Sequence, residues 1–157
     1  MKFNTREDIE APITAVWQSL TDFDHWERAA LRRGAEVSRT DKMKTLAAGL
    51  SWHLRFAYRG KPRRVDVQLT GVDAPNMLSF NGMGQLLEGS LQLDLVELGA
   101  RRTRVAISFE VLPRTLAARL FLQSLRLARG RMEKRFKART AALAMMIEER
   151  HATPRKL

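Results

Sequence analysis

The stretch TDFDHWE, residues 21 to 27, packs two aspartates, a histidine, a glutamate and two aromatics into seven consecutive positions. A carboxylate beside an imidazole is the raw material of general acid–base catalysis, in which a positioned side chain passes a proton to or from a substrate. His25 in that role needs a partner, and no spacing in the sequence identifies one. A structural use competes. Asp24 before a short helix, with Glu27 three residues later, has the reciprocal arrangement of a capping box. Asp22 serves the same end if the boundary moves by two residues, and all three negative charges suit a helix N-terminus. On this reading the stretch is a joint between two helices, with Trp26 packing beneath it.

Other chemistry has less to stand on. His25, His53 and His151 are far apart and lack HExxH-type spacing, so no metal site is expected. The chain has no cysteine, which removes disulfides, thiolate ligands and cysteine nucleophiles and permits a reducing compartment. Its serines lack a G-x-S-x-G elbow. NGMGQLLEG, carrying Gly82, Gly84 and Gly89, has no strand–loop–helix context for a phosphate loop; these glycines are expected at bulges or in a loop that opens a pocket. No cofactor is expected.

The elements that must position any site read as one domain over residues 1–150, with residues 151–157 as a loose tail. The charged N-terminus has no apolar signal region and no apolar run approaches the ~20 residues of a membrane span, so a cytoplasmic protein is expected. Residues 2 to 10 suit a first strand. Pro12 then opens a helix on which Ile13, Val16, Trp17 and Leu20 share a face. A second short helix runs to Gly34, a natural C-terminal cap.

From residue 35 the apolar period becomes two. AEVSRT is a short strand, and SWHLRFAYRGKPRRVDVQLTGV reads as a hairpin. A Gly60-Lys61 turn would pair Phe56 with Val65, Leu54 with Val67 and Trp52 with Leu69. Three more strands carry Leu78 and Phe80; Leu87, Leu91, Leu93 and Leu95; and Val105, Ile107, Phe109 and Val111 against polar alternates, as in an antiparallel sheet with one wet face. After Pro113 the period returns to helical, and Phe121, Leu125, Ala128, Met132, Phe136, Leu143 and Ile147 make one stripe. A helix of about 36 residues would reach roughly 50 Å and overhang a seven-stranded sheet about 30 Å wide, with Gly130 as a bend or close approach.

The order is strand, two short helices, six antiparallel strands and a long terminal helix. With IEAPITAVWQSLTDFDHWE near the start and PRTLAARLFLQSLRLARGRMEKRF near the end, the chain resembles the helix-grip proteins of the START-like, or SRPBCC, superfamily. That group includes polyketide cyclase/dehydrase-like and lipid-transfer-like domains. The resemblance spans about residues 2 to 150 and implies an α+β fold in which a curved seven-stranded antiparallel sheet wraps the C-terminal helix. It further implies a cavity between sheet and helix for a hydrophobic small molecule, lipid-like or aromatic and polyketide-like. Cavity-facing positions would then be Trp52, Leu54, Phe56, Val67 and Leu69 from the hairpin, and Phe80, Leu91, Leu93, Ile107 and Phe109 from the later strands. Phe121, Leu125 and Met132 would close the space from the helix.

All of these are apolar, a composition that a solid core without a cavity requires equally; as a pocket lining it favours binding or transport over catalysis, for which no catalytic residue is assigned. A cyclase or dehydratase on the same fold is the alternative, with Tyr58 or His25 supplying the polar group. A third class is an adaptor. The net charge is +11, and Arg126, Arg129, Arg131, Lys134, Arg135, Lys137 and Arg139 surround the single acid Glu133. Such a field attracts an anionic membrane surface or an acidic protein. Leu116, Leu120 and Leu127 form a second apolar line, suited to a membrane, a homodimer or a covering loop. Nucleic acid is not favoured, as no reading motif accompanies the charge.

Overall fold

A computed structural model describes residues 1–152. Strand β1 (Lys2–Ile9) leads to helices α1 (Ile13–Leu20) and α2 (Phe23–Arg32). Strands β2 (Glu36–Arg39), β3 (Ser51–Tyr58), β4 (Lys61–Asp73), β5 (Met77–Gly84), β6 (Leu87–Gly99) and β7 (Arg102–Pro113) follow. The chain ends in α3 (Leu116–Leu125), a 3₁₀ turn (Arg126–Ala128) and α4 (Arg129–Ala152). The sheet is antiparallel in the order β1-β7-β6-β5-β4-β3-β2. Register shifts at Leu69/Gly71 and Glu97/Gly99 bend two long strands, so the bulges expected at Gly82, Gly84 and Gly89 lie elsewhere. The helix-grip architecture implied by the sequence is the one observed.

The β3–β4 hairpin keeps its expected face but not its expected register. Tyr58 pairs with Lys61, Leu54 with Val65 and Trp52 with Val67, so the turn is Arg59-Gly60 rather than Gly60-Lys61. Both turn residues have positive φ, 51° and 75°, as the twist-matched two-residue turn requires. Arg59 tolerates this while its guanidinium lies over the Tyr58 and Phe121 rings, 5.4 and 5.8 Å from their centroids. Pairing moves by two residues, and a shift of two leaves every side chain on its own face.

TDFDHWE is the joint. Asp22, not Asp24, caps α2, its carboxylate accepting from the His25 backbone N–H at 3.3 Å. Trp26 donates its indole N–H to the Ser19 carbonyl at 3.1 Å, locking α2 to the end of α1. Gly34 follows α2 with φ 92°, the conformation expected of it.

The single terminal helix is in fact two, broken at Arg126–Ala128, and the expected stripe breaks with it. A 3₁₀ turn winds more tightly than an α-helix and rotates the apolar phase. Ala118 and Leu122 are buried in α3, whereas Phe121 is 37% exposed. In α4 the buried positions are Thr140, Ala144 and Ile147, with Phe136, Leu143 and Met146 packed beside them. Phe136 meets Phe3 of β1 at 6.0 Å, and Arg150 bonds Asp22 at 2.9 Å, anchoring the far end of α4 to the α2 cap. Gly130 lies inside the first turn of α4, beyond the break. The helix continues to Ala152, past the start of the expected tail, and residues 153–157 lie outside the described residues.

Asp41 orders the loop between β2 and β3. Its carboxylate accepts from Arg39 Nε and Nη2 at 2.8 and 2.7 Å and from the backbone N–H groups of Met43 and Ser51 at 2.9 and 2.8 Å. The hydrogen bonds from Arg39, then that from Ser51, hold its pKa well below the usual carboxylate range. A depressed folded-state pKa contributes stability above the unfolded value of about 3.9, lost as pH falls through that value toward the folded one. Asp41→Asn is therefore expected to lower the melting temperature at pH 7, with the gap from wild type closing as pH falls below about 4. A gap independent of pH contradicts the assignment.

Candidate functional site

Side chains on the helix-facing side of the sheet divide by position along the strands. Trp52, Leu69, Leu93 and Ile107 are buried in the core with Ile9, Val16, Leu78 and Val105. Leu54, Phe56, Val67, Phe80, Leu91 and Phe109 share their face yet keep partial exposure, as do Leu125 and Met132 on the terminal helices. Burial on this face therefore falls toward the hairpin-turn end of the strands, where Leu54, Val67, Phe80 and Leu91 pack against the core without being fully covered. Phe121, expected to close the space, lies at its edge beneath Arg59.

The partial exposure has a counterpart in the sheet. One inward row crosses five strands as Trp52–Val67–Gly82–Gly89–Val111. Two adjacent members have no side chain, so the row is bare where a filled sheet would carry two apolar residues, and we call this bare stretch the dent. Backbone crowding does not demand glycine at the first. A Cβ on Gly82 would sit 3.5 Å from Val65 Cγ1, an ordinary contact. On Gly89 it would lie 3.6 Å from Phe109 Cε2 and 3.4 Å from the Glu110 carbonyl, a closer fit.

Aromatic rings bound the dent at the α2 side. Phe23 meets Trp52 edge-on at 5.1 Å and Phe80 at 6.3 Å, while Trp52 and Phe80 lie 6.4 Å apart. Trp52 donates its indole N–H to Glu27 Oε1 at 2.7 Å, and the Arg39 guanidinium covers its ring at 5.4 Å. Glu27 was expected to close a capping box; instead it crosses from α2 to β3 and sets the orientation of the tryptophan. Its spacing from Asp24 hid this, since nothing local marks a partner 25 positions away. Glu27→Ala is expected to strand the buried indole N–H and cost about 2 kcal/mol, a fall of ~4–8 °C in melting temperature. Glu27→Gln, which keeps an acceptor, should cost markedly less; equal losses would refute the hydrogen bond's role.

The two titratable groups weighed for catalysis sit elsewhere. Tyr58 is 49% exposed beside the hairpin turn. His25 lies on α2 with its ring edge-on to Trp26 at 5.1 Å; burial, then the nearby Arg150 charge, push its pKa down and favour the neutral imidazole. His53 bonds Asp66 at 2.7 Å on the outward face of the hairpin, and His151 is exposed near the end of α4.

Two surface grooves among the described residues lie outside the dent. One, about 440 Å³, runs over the outward face and is lined largely by polar side chains, among them Asn4, Ser79, Asn81, Ser90, Gln92 and Ser108. The other, about 540 Å³, lies at the break between α3 and α4.

A family model described as polyketide cyclase/dehydrase and lipid transport matches residues 1–148. No curated protein sequence matches the chain. Among solved structures, the Zhui aromatase/cyclase from Streptomyces sp. R1128 is 14% identical, with a TM-score of 0.66 over 96% of this chain and 94% of that one. TTHA0849 from Thermus thermophilus is 16% identical, with a TM-score of 0.64 over 94% and 97%. A START superfamily protein from Mycobacterium smegmatis is 10% identical, with a TM-score of 0.57 over 85% and 95%. At these identities the likeness is one of fold.

Proposed function

Because the chain belongs to the polyketide cyclase/dehydrase and lipid-transport family, we propose that it binds or carries a hydrophobic small molecule, lipid-like or aromatic and polyketide-like, in the dent between sheet and terminal helices. The observation that carries this reading is the row through Gly82 and Gly89, around which apolar side chains face inward without being fully buried. Apolar surface of that kind gains by covering itself with an apolar guest. Phe23, Trp52 and Phe80 suit a flat or unsaturated portion of the guest, since offset and edge-on ring contacts add to simple burial.

Native mass spectrometry of the purified protein should reveal a bound apolar molecule. Protein refolded without it should take up an environment-sensitive apolar dye that the recovered molecule displaces. Refolded protein that takes up neither refutes the proposal.

A cyclase- or dehydratase-type reaction is the second reading, favoured by one observation: the Glu27 carboxylate lies against the ring cluster at Trp52. It requires that Glu27→Gln abolish turnover of a polyketide-like substrate while leaving its binding intact. Unchanged substrate recovered after incubation with the wild-type protein excludes it.

A further inference from the structure

Three exposed leucines of α3 and the turn after it lie outside the ligand site. Leu116, Leu120 and Leu127 are 72%, 59% and 96% exposed. Leu116 and Leu120 are four residues apart and differ by only ~40° around the helix. The opposite side of α3 is occupied, with Ala118 and Leu122 buried. A leucine almost wholly in water at a turn between two helices contributes nothing to folding that serine would not.

Beside this apolar line runs a cationic one. Arg119, Arg126 and Arg129 line the groove of about 540 Å³ at the helix break, together with Gln123 and the N-terminal Met1. No carboxylate among the described residues lines it. Arg129 is braced there by a bond of 2.8 Å to the Lys2 carbonyl and by the Phe3 ring at 5.2 Å, with Glu133 3.8 Å away on the next turn of α4.

We propose that this face docks the protein on an anionic phospholipid bilayer, the leucines entering the boundary between headgroups and chains while the arginine-lined groove seats headgroup phosphates. Apolar side chains flanked by arginines on a short helix match an interfacial contact, in which burial and attraction to anionic lipid add. No helix among the described residues is long and apolar enough to cross the membrane, so the contact is superficial. The charge also selects against a second copy: a two-fold interface would bring the groove arginines of each copy toward those of the other. The surface is independent of the ligand proposal.

The test is co-sedimentation of the full chain with vesicles of phosphatidylcholine alone or mixed with phosphatidylglycerol. Binding is expected only to the mixed vesicles, and is expected to disappear near 1 M salt, where screening reaches within ~3 Å. Arg119→Glu combined with Arg126→Glu should weaken it about tenfold or more, and Leu120→Ser combined with Leu127→Ser by a similar factor. All four sites are exposed, so melting temperatures should not change. Equal binding to neutral vesicles overturns the proposal, as does a concentration-dependent dimer that Leu127→Ser dissolves. Saturable binding of inorganic phosphate without vesicle binding would make the groove a site for free anions and likewise overturn it. Gly82→Leu, which acts on the dent, should leave vesicle binding untouched.

Discussion

Gly82→Leu is expected to leave the protein folded, with a melting temperature no lower than wild type, and to weaken uptake of an apolar ligand about tenfold or more. The fold tolerates the change because a Cβ there makes only an ordinary contact with Val65 and because glycine is a poor strand residue. The binding loss follows from volume. A leucine side chain fills the dent between Val67 and Gly89, and displacing even two methylenes of ligand forfeits ~1.6 kcal/mol of burial, more than a factor of ten. Gly84→Leu is the contrasting variant. A Cβ at Gly84 would meet the Leu87 carbonyl at 3.1 Å, tighter than an ordinary contact, so the carbonyl must give by a few tenths of an ångström and stability is expected to fall as well. Wild-type affinity in a folded Gly82→Leu protein, read by dye titration, would remove the dent from the binding site.

Ile147→Asp is expected to abolish the folded state or release the C-terminal half of α4 from the sheet. Ile147 is fully buried, and an unpaired carboxylate there costs several kcal/mol against a total stability of roughly 5–15. Ile147→Ala is the graded version, costing about 3 kcal/mol and ~6–12 °C in melting temperature. Met145→Ala, on the same helix but 61% exposed, should change stability by less than about 0.5 kcal/mol. Denaturant titrations of the three variants therefore map which side of α4 the sheet holds. Similar losses at positions 145 and 147 would mean that the helix is seated differently.

Positions 82 and 147 are features of unequal visibility in the sequence. Ile147 stood in the apolar stripe from the start, because helical spacing alone selects it. The dent did not. Gly82 and Gly89 are separate glycines in NGMGQLLEG, and only the pairing of β5 with β6 makes them neighbours. The same limit applies at Glu27, whose local spacing suggests a cap and whose partner is Trp52.

What the amino-acid order determined by itself was everything carried by local periodicity. Alternation assigned Trp52, Leu69, Leu93 and Ile107 to the inward face, and a two-residue error in the hairpin register did not disturb that, since facing depends only on parity. The helical spacing after Pro113, the joint at TDFDHWE and the order of elements were legible for the same reason. Tertiary structure alone decided which inward residues are plugged and which are open, where the terminal helix breaks, and which charge meets which ring. Those outcomes depend on the relative positions of segments distant in the chain, and such positions follow from packing the whole molecule at once rather than from any one segment's pattern.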